Sequence, residues 1–551
     1  MKRRFVHICV SLWIAAVAWA SNDTVYVSGG IQHDGLLEWR NKVAYLSNSY
    51  VDFSVHYRND SNAVGFRSLR ATTRAELTQW PLPGYEDDIK GHGIGHLSVE
   101  AVFDRVSVTL GDVYAQFGSG LILNIYEDRA LGIDGALRGA KIETNPCRGL
   151  YITLLGGKQR RYWSCYSDHA WGWNYSRDAV LGADAEIHIE QWSKRMQDAN
   201  MNLLFGGSYV SKYEAFDTII APSAGKLMMY NLPLWVGAGD LRVQWQYKGL
   251  DFLVEYALKA NDPTIENDRS YRMGDALFAS FSYSRKGLSV LAQIKRSDNM
   301  SFRSERTRIG LAGRLNNLPA FGQQHTYTLP ALYPYATQYV GGEWAFQAEA
   351  RYTWPRKSVM GGKYGTTLKL SGAHIRGLKS EGSWAIDTRP EGEYYTDVNI
   401  ELNKHVTKRF WLNAMLMYQT YNRQLLEGKG GLVRSGIAVV DAKVQVSDQV
   451  TMRAELQYLY SPHYQGQWIF ALYELSLIKH LTLSGQWLYN IGGTAEATHE
   501  HFYTAAATFS YGAHRVSAGY TKTKEGFNCS GGVCRYIPKM EGVCLSYNFT
   551  W

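Results

Sequence analysis

Residues 541–551, Glu-Gly-Val-Cys-Leu-Ser-Tyr-Asn-Phe-Thr-Trp, alternate with a period of two. Val543, Leu545, Tyr547, Phe549 and Trp551 fall on one side of an extended strand, and Gly542, Cys544, Ser546, Asn548 and Thr550 on the other. One face suits hydrocarbon and the other suits water. A soluble sandwich strand shows the same alternation, yet it seldom ends on a bare aromatic with nothing after it to cover its edge. A closed membrane barrel pairs its last strand with its first and has no edge. The expected fold is therefore all-β, a single transmembrane antiparallel β-barrel.

The same device recurs upstream. Leu241, Val243, Trp245 and Tyr247 alternate with Arg242, Gln244, Gln246 and Lys248; Gly249 turns the chain, and Phe252, Val254, Tyr256 and Leu258 resume the apolar side. Further hairpins turn at Lys286-Gly287 and Ser447-Asp448, and others join 473–477 to 481–489 and 502–510 to 516–520. Between hairpins the links are longer and more polar, as in 260–273, 376–394, 421–432, 492–501 and 524–541. Alternating short and long connections match periplasmic turns and extracellular loops, and the parity puts Trp551 at the periplasmic end. Strand-length segments number about 18 to 22, at about 10 residues each. A barrel of that width is too wide for its own side chains to fill. The first third is the least regular. Strands are expected at 24–30, 50–57, 97–103 and 106–117, around the breaker cluster Pro81-Leu82-Pro83-Gly84, with room for a constriction or an inward-folded segment. The 38 Tyr and 17 Trp would supply two interfacial belts.

At the N-terminus Lys2, Arg3 and Arg4 precede an apolar run over 5–17 and the small-residue pair Ala18 and Ala20. This reads as a secretory signal, 1–20, followed by one barrel domain over 21–551. No later apolar run approaches the ~18 residues of a membrane helix, and 150–155 is about as long as any becomes. The formal charge of +8 includes the three leader cations, so the remainder carries +5, too small and dispersed to imply nucleic acid. Of six cysteines Cys9 lies in the leader. Cys529 and Cys534 are spaced to bridge a loop tip, Cys147 and Cys165 form a second candidate pair, and Cys544 is left as a lumen-facing thiol. No histidine near Cys529, Cys534 and Cys544 completes a zinc site, so no metal and no cofactor are expected.

From Gly111 the chain reads Gly-Asp-Val-Tyr-Ala-Gln-Phe-Gly-Ser-Gly-Leu-Ile-Leu-Asn-Ile-Tyr-Glu-Asp-Arg-Ala-Leu-Gly-Ile-Asp-Gly-Ala-Leu-Arg-Gly-Ala140, and near the end Cys529-Ser-Gly-Gly-Val-Cys-Arg535. Both stretches resemble an uncharacterised family of outer-membrane barrel proteins of Bacteroidota. That resemblance implies an outer-membrane location without an activity or substrate. Physically, Glu127, Asp128, Arg129 and Arg138 cannot face lipid, where a charge costs several kcal/mol at mid-depth. They belong in the lumen or at its mouth, paired with one another, as a structural cluster or as a solute-selecting constriction. Glycines 118, 120, 132, 135 and 139 would let backbone approach backbone there.

Arg242, Glu255, Arg453 and Glu455, with Lys259, Lys295, Asp397, Asp441 and Glu474, fall opposite the apolar residues of their strands and would line a wet wall of mixed sign. A passive channel for hydrophilic solutes is the leading expectation. A non-conducting accessory barrel of a secretion or surface-assembly complex, with a protein partner of unknown identity at its extracellular loops, is the alternative. An outer-membrane hydrolase ranks last. No Gly-x-Ser-x-Gly or His-Glu-x-x-His pattern occurs, and His92 and His96 beside Glu86, Asp87 and Asp88 are the one dense acid–imidazole cluster, so no catalytic residue is assigned. A TonB-dependent mechanism is not expected, because strand alternation begins at Thr24 where a plug domain would have to stand. Tyr547, Phe549 and Trp551 resemble the signal read by barrel-assembly machinery, which with outer-membrane lipid completes the expected partners.

Overall fold

The computed structural model describes residues 24–551 except 39–43, 60–64, 162, 164–177, 216–219, 224–225, 312 and 531–532. Twenty-four strands form one antiparallel sheet in which each pairs with its neighbours in sequence. The first strand, Thr24–Glu38, pairs with the last, Met540–Thr550, from Gly30 opposite Thr550 to Glu38 opposite Gly542, so the sheet closes and no edge remains. Backbone hydrogen bonds between Gly29 and Trp551, 3.2 and 3.1 Å long, extend the seam to the final residue.

The strand count lies just above the expected range of about 18 to 22, and the difference arises in the irregular first third. Thr24–Glu38, Ala44–Arg58, Phe66–Thr78, Gly91–Phe103 and Val106–Val113 are five long consecutive strands there. Register shifts between Phe66 and Ser68 and between Arg74 and Ala75 interrupt the period-two pattern that marks the other strands. The expected strand at 106–117 stops at Val113, where the chain turns inward.

Two-residue turns at 104–105, 148–149, 248–249, 286–287, 408–409 and 512–513 all lie at one end of the barrel. Longer connections, including 114–136, 260–273, 299–342, 377–392 and 524–539, lie at the other. The hairpins read from the alternation are present in the expected register, for example Arg242 opposite Glu255 and Asp441 opposite Glu455. Leu241 is 74% exposed on the outer wall while its neighbour Arg242 is 4% exposed on the inner one. Outward Trp235, Trp344 and Tyr460 sit at the loop end, and Tyr247, Trp354 and Tyr511 at the turn end, as two interfacial belts require. No helix among the described residues is long and apolar enough to cross a membrane.

Two loop-end connections fold into the lumen. The inner segment, 114–136, forms two short ladders, Ala115–Gln116 with Asn124–Ile125 and Glu127–Asp128 with Ile133–Asp134. Against it lies the plug loop, 299–342. Phe117, Leu121, Ile122 and Leu123 of the first pack with Phe302, Leu315, Leu318 and Phe321 of the second into a dry core, all at most 2% exposed. Each such side chain contributes roughly 1.5–3 kcal/mol on burial, so the plug is folded protein rather than a loose lid. The lumen is therefore graded. Lumen-facing residues near the loop end are buried, such as Thr78, Lys295, Tyr395 and Phe502. Further toward the turns the same strands present Thr72, Gln293, Asn403 and Thr508, which are partly or fully exposed.

Candidate functional site

The inner segment is held by charges that the strands bring to it from several directions. Arg74, on Phe66–Thr78, is 3% exposed and donates to Glu76 at 2.7 Å, to Glu127 at 2.6 Å and to Asp134 at 2.7 Å. Arg160, just beyond the strand Leu150–Gln159, meets the same Glu76 and Asp134. Arg129 bonds Glu127 at 2.6 Å and reaches Asp52 on Ala44–Arg58, where its Nη2 is shared between both carboxylate oxygens at 2.9 Å. Tyr114 donates to Asp134 at 2.9 Å. Three guanidiniums thus interleave with four carboxylates. Coulomb attraction offsets the desolvation of each ion only because every member is paired.

Of the residues read from the sequence, Glu127 and Arg129 are paired with each other. Arg138 is not part of their cluster; it pairs with Asp112 across the strands Val106–Val113 and Leu137–Cys147. Asp128 accepts from the Leu131 amide at 3.1 Å and shapes the turn of the inner segment. Glu255, fully buried, accepts from the Ser119 amide at 2.7 Å. Gly118 there has φ of +50°, and a Cβ would lie 2.7 Å from the Glu255 carboxylate, so this close approach requires glycine. Arg242 bonds Asp184 at 2.6 Å and Glu186 at 2.8 Å. Arg453 gathers Asp441 at 3.0 Å, Glu474 at 3.1 Å and Glu455, while Gln457 beside them accepts from the Leu329 amide of the plug loop at 2.8 Å.

Sequence reasoning did not single out the plug loop. Lys295 pairs with Glu343 at 2.9 Å and donates to the Pro319 carbonyl at 2.6 Å, with both charged side chains fully buried. Arg303 bonds Glu266 at 2.8 Å, Arg306 bonds Glu214 at 3.2 Å, and Gln419 donates to the carbonyls of Pro330 and Tyr333. One signal was available. Between the strands at 298 and 343 the sequence shows no alternation over a stretch far longer than the usual ~12–15 residue ceiling for a structureless loop.

Glu266, on the loop 260–273, clamps this plug from outside. Burial raises its carboxyl, but hydrogen bonding and charge from Arg303, with Arg314 and Ser301, outweigh that and hold it at about 2. A depressed carboxyl adds stability above its unfolded value of 4.5 and loses it as pH falls toward 2. The expected result is a loss of stability on the order of 3 kcal/mol between pH 4.5 and 2, seen as a falling unfolding temperature that Glu266→Gln flattens. Calorimetry in detergent across that range checks it, and a Glu266→Gln profile parallel to the wild type would contradict it.

The acid–imidazole cluster is dispersed. The register shift at Arg74 places His92 opposite exposed Leu77 and His96 opposite buried Arg74, on different faces of the sheet. Asp88 bonds Arg308 at 3.2 Å, and Glu86 accepts from the Leu311 amide at 3.1 Å. No three His, Cys, Asp or Glu side chains among the described residues come together as a metal site. Cys529 and Cys534 form a disulfide. The candidate pair of Cys147 with Cys165 falls outside the described residues at Cys165. The Cys544 thiol donates to the Gly519 carbonyl at 3.3 Å. The disulfide hairpin, Gly526–Ser530 with Val533–Ile537, lies across the mouth, where Arg535 stacks 3.8 Å over Tyr85 and the Cys529 carbonyl accepts from Gln324 of the plug loop at 3.0 Å.

A closed sheet with an apolar outer wall and a lumen filled from its loop end defines an outer-membrane β-barrel with an internal plug. The chain belongs to the Family of unknown function (DUF6029), which it matches over residues 1–551. No curated protein matches it. Among solved structures it is similar to the siderophore receptor PirA from Pseudomonas aeruginosa, at 10% identity and a TM-score of 0.41 over 97% of this chain and 81% of that one. It is also similar to OccAB2 from Acinetobacter baumannii, at 9% identity and 0.36 over 97% and 99%. The outer membrane protein opdK from Pseudomonas aeruginosa aligns at 8% identity and 0.35 over 96% and 98%.

Proposed function

We propose that this barrel is a gated outer-membrane channel for solutes, closed at its extracellular end by its own loops. The observation that carries this reading is the graded lumen. A dry, ion-paired plug fills the loop end, and a wet wall of small polar residues leads to the turn end. A barrel built only as a scaffold has no need of that wet half. Glu127 and Arg129 of the inner segment and Glu255 of the wall act here to seat the plug, while Arg242, Arg453 and Glu455 pair within the wall, so that the constriction is a docking surface for protein before it is one for solute. The first twenty residues direct secretion, and Tyr547, Phe549 and Trp551 carry the assembly signal. Deleting Trp551 together with Phe549→Ala is expected to lower the amount of protein in the outer membrane several-fold, read by membrane fractionation, and unchanged levels would remove that assignment.

Gating is tested by locking the plug to the wall. The Gln323 side chain of the plug loop accepts from Ser371 at 2.6 Å, so a Gln323→Cys/Ser371→Cys pair can be bridged by a short bifunctional methanethiosulfonate reagent. In planar bilayers, brief openings of the reduced variant are expected to vanish once the bridge is formed, with the wild type given the same treatments as control. A second reading, the accessory barrel, is favoured by the tight core of the plug. It predicts silence with or without the bridge and co-purification with a fixed partner.

A further inference from the structure

Beneath the disulfide hairpin lies a cavity of about 340 Å³, within the size range of small-molecule sites. Its three sides come from parts that gating must separate. Leu332 belongs to the plug loop, Phe470, Leu488 and Phe502 to the barrel wall, and Phe527 to the hairpin. The surface is mainly apolar and aromatic, and two cations and one carboxylate border it, Lys522, Lys524 and Glu525. Lys524 donates to the Glu525 carbonyl at 3.2 Å and lies 5.5 Å from the Trp468 ring. Among the described residues it has no carboxylate within ion-pair distance. Nearby Lys522 and Lys539 differ, because both bond Glu500. An ammonium has three donors, so Lys524 keeps donors in reserve. Beside it the Thr523 hydroxyl is buried without a hydrogen-bond partner, and a buried polar group left in that state calls for a ligand or water.

We propose that this cavity binds a small aromatic carboxylate, with the ring among Phe470, Phe502 and Phe527 and the carboxylate on Lys524 Nζ and the Thr523 hydroxyl. An aromatic body matches three aromatic walls, and a single negative charge matches the one uncompensated cation. The ligand touches plug, wall and hairpin at once, so its binding energy couples to their separation. The assignment of this ligand as the solute or opener of the channel rests on the gating reading above; the binding itself does not.

The test uses the full mature chain in lipid nanodiscs, titrated with 2-naphthoate and, in parallel, with neutral 2-naphthamide. Saturable binding of 2-naphthoate is expected, well above that of the amide. Lys524→Met should weaken the acid about tenfold or more and leave the amide unchanged, whereas Phe502→Ala should weaken both. Lys524→Gln serves if the methionine variant fails the heat-modifiable gel shift that reports a folded barrel. Absence of saturable 2-naphthoate binding, equal affinity for acid and amide, or an affinity untouched by either Lys524 variant would overturn the site. Binding accompanied by silent bilayers would instead defeat the channel reading and leave the site standing.

Discussion

Replacing residues 300–341 with a short Gly-Ser turn is expected to convert a closed barrel into one with large, steady conductance. Ser297 and Glu343 are directly paired across adjacent strands, so the ends to be joined already lie side by side, and no barrel strand is lost. The deletion removes the half of the dry core that includes Phe302, Leu315, Leu318 and Phe321. It also frees Lys295, Glu343, Gln419 and Gln457 from their plug partners. In an emptied lumen these wall groups face water, where unpaired charges carry little penalty. The barrel should therefore keep its gel shift and β-rich circular dichroism while its conductance rises by an order of magnitude or more. A folded deletion variant that stays silent would show that the inner segment alone seals the lumen.

The second large effect is expected at Arg74. Arg74→Ala leaves Glu127 with Arg129 alone and leaves Glu76 and Asp134 to share Arg160. Removing one partner from a buried ion cluster typically costs about 3–5 kcal/mol, because the remaining charges stay desolvated. The loss falls on the docking of the inner segment, since Glu127 and Asp134 belong to that segment and Arg74 to the wall. Urea unfolding of the refolded protein should show an early transition that the wild type lacks, together with more frequent openings in bilayers. Arg74→Lys should recover only part of the effect, because one ammonium cannot hold three carboxylates as a guanidinium fork does. If Arg74→Ala behaved as the wild type in both measurements, the cluster would be incidental to closure.

The barrel was legible in the sequence wherever strands obeyed a period of two with short turns. Leu241 through Leu258 and Val543 through Trp551 announce their faces, and the register follows from the hydrophobic pattern alone. The first third was less legible because the bulges at Phe66/Ser68 and Arg74/Ala75 shift the pattern by one residue mid-strand. The charges of the inner segment could be read as lumenal, since lipid excludes them, but their partners could not. Asp52, Arg74, Glu76 and Arg160 stand far from Glu127 in sequence, and only the inward fold of the inner segment against their strands brings them together. The plug loop was the largest omission. Its fold depends on pairings such as Leu329 with Gln457 and Tyr335 with Glu343, which no local periodicity encodes. The dispersal of His92 and His96 has the same origin as the missed strands, a single bulge that sends neighbouring positions to opposite faces.

The most direct measurement is single-channel recording of the refolded wild type in a planar bilayer, with the Cys529–Cys534 disulfide intact. The expected record is a closed baseline with brief, infrequent openings. Large conductance that persists from the moment of insertion would contradict a lumen sealed by 114–136 and 299–342.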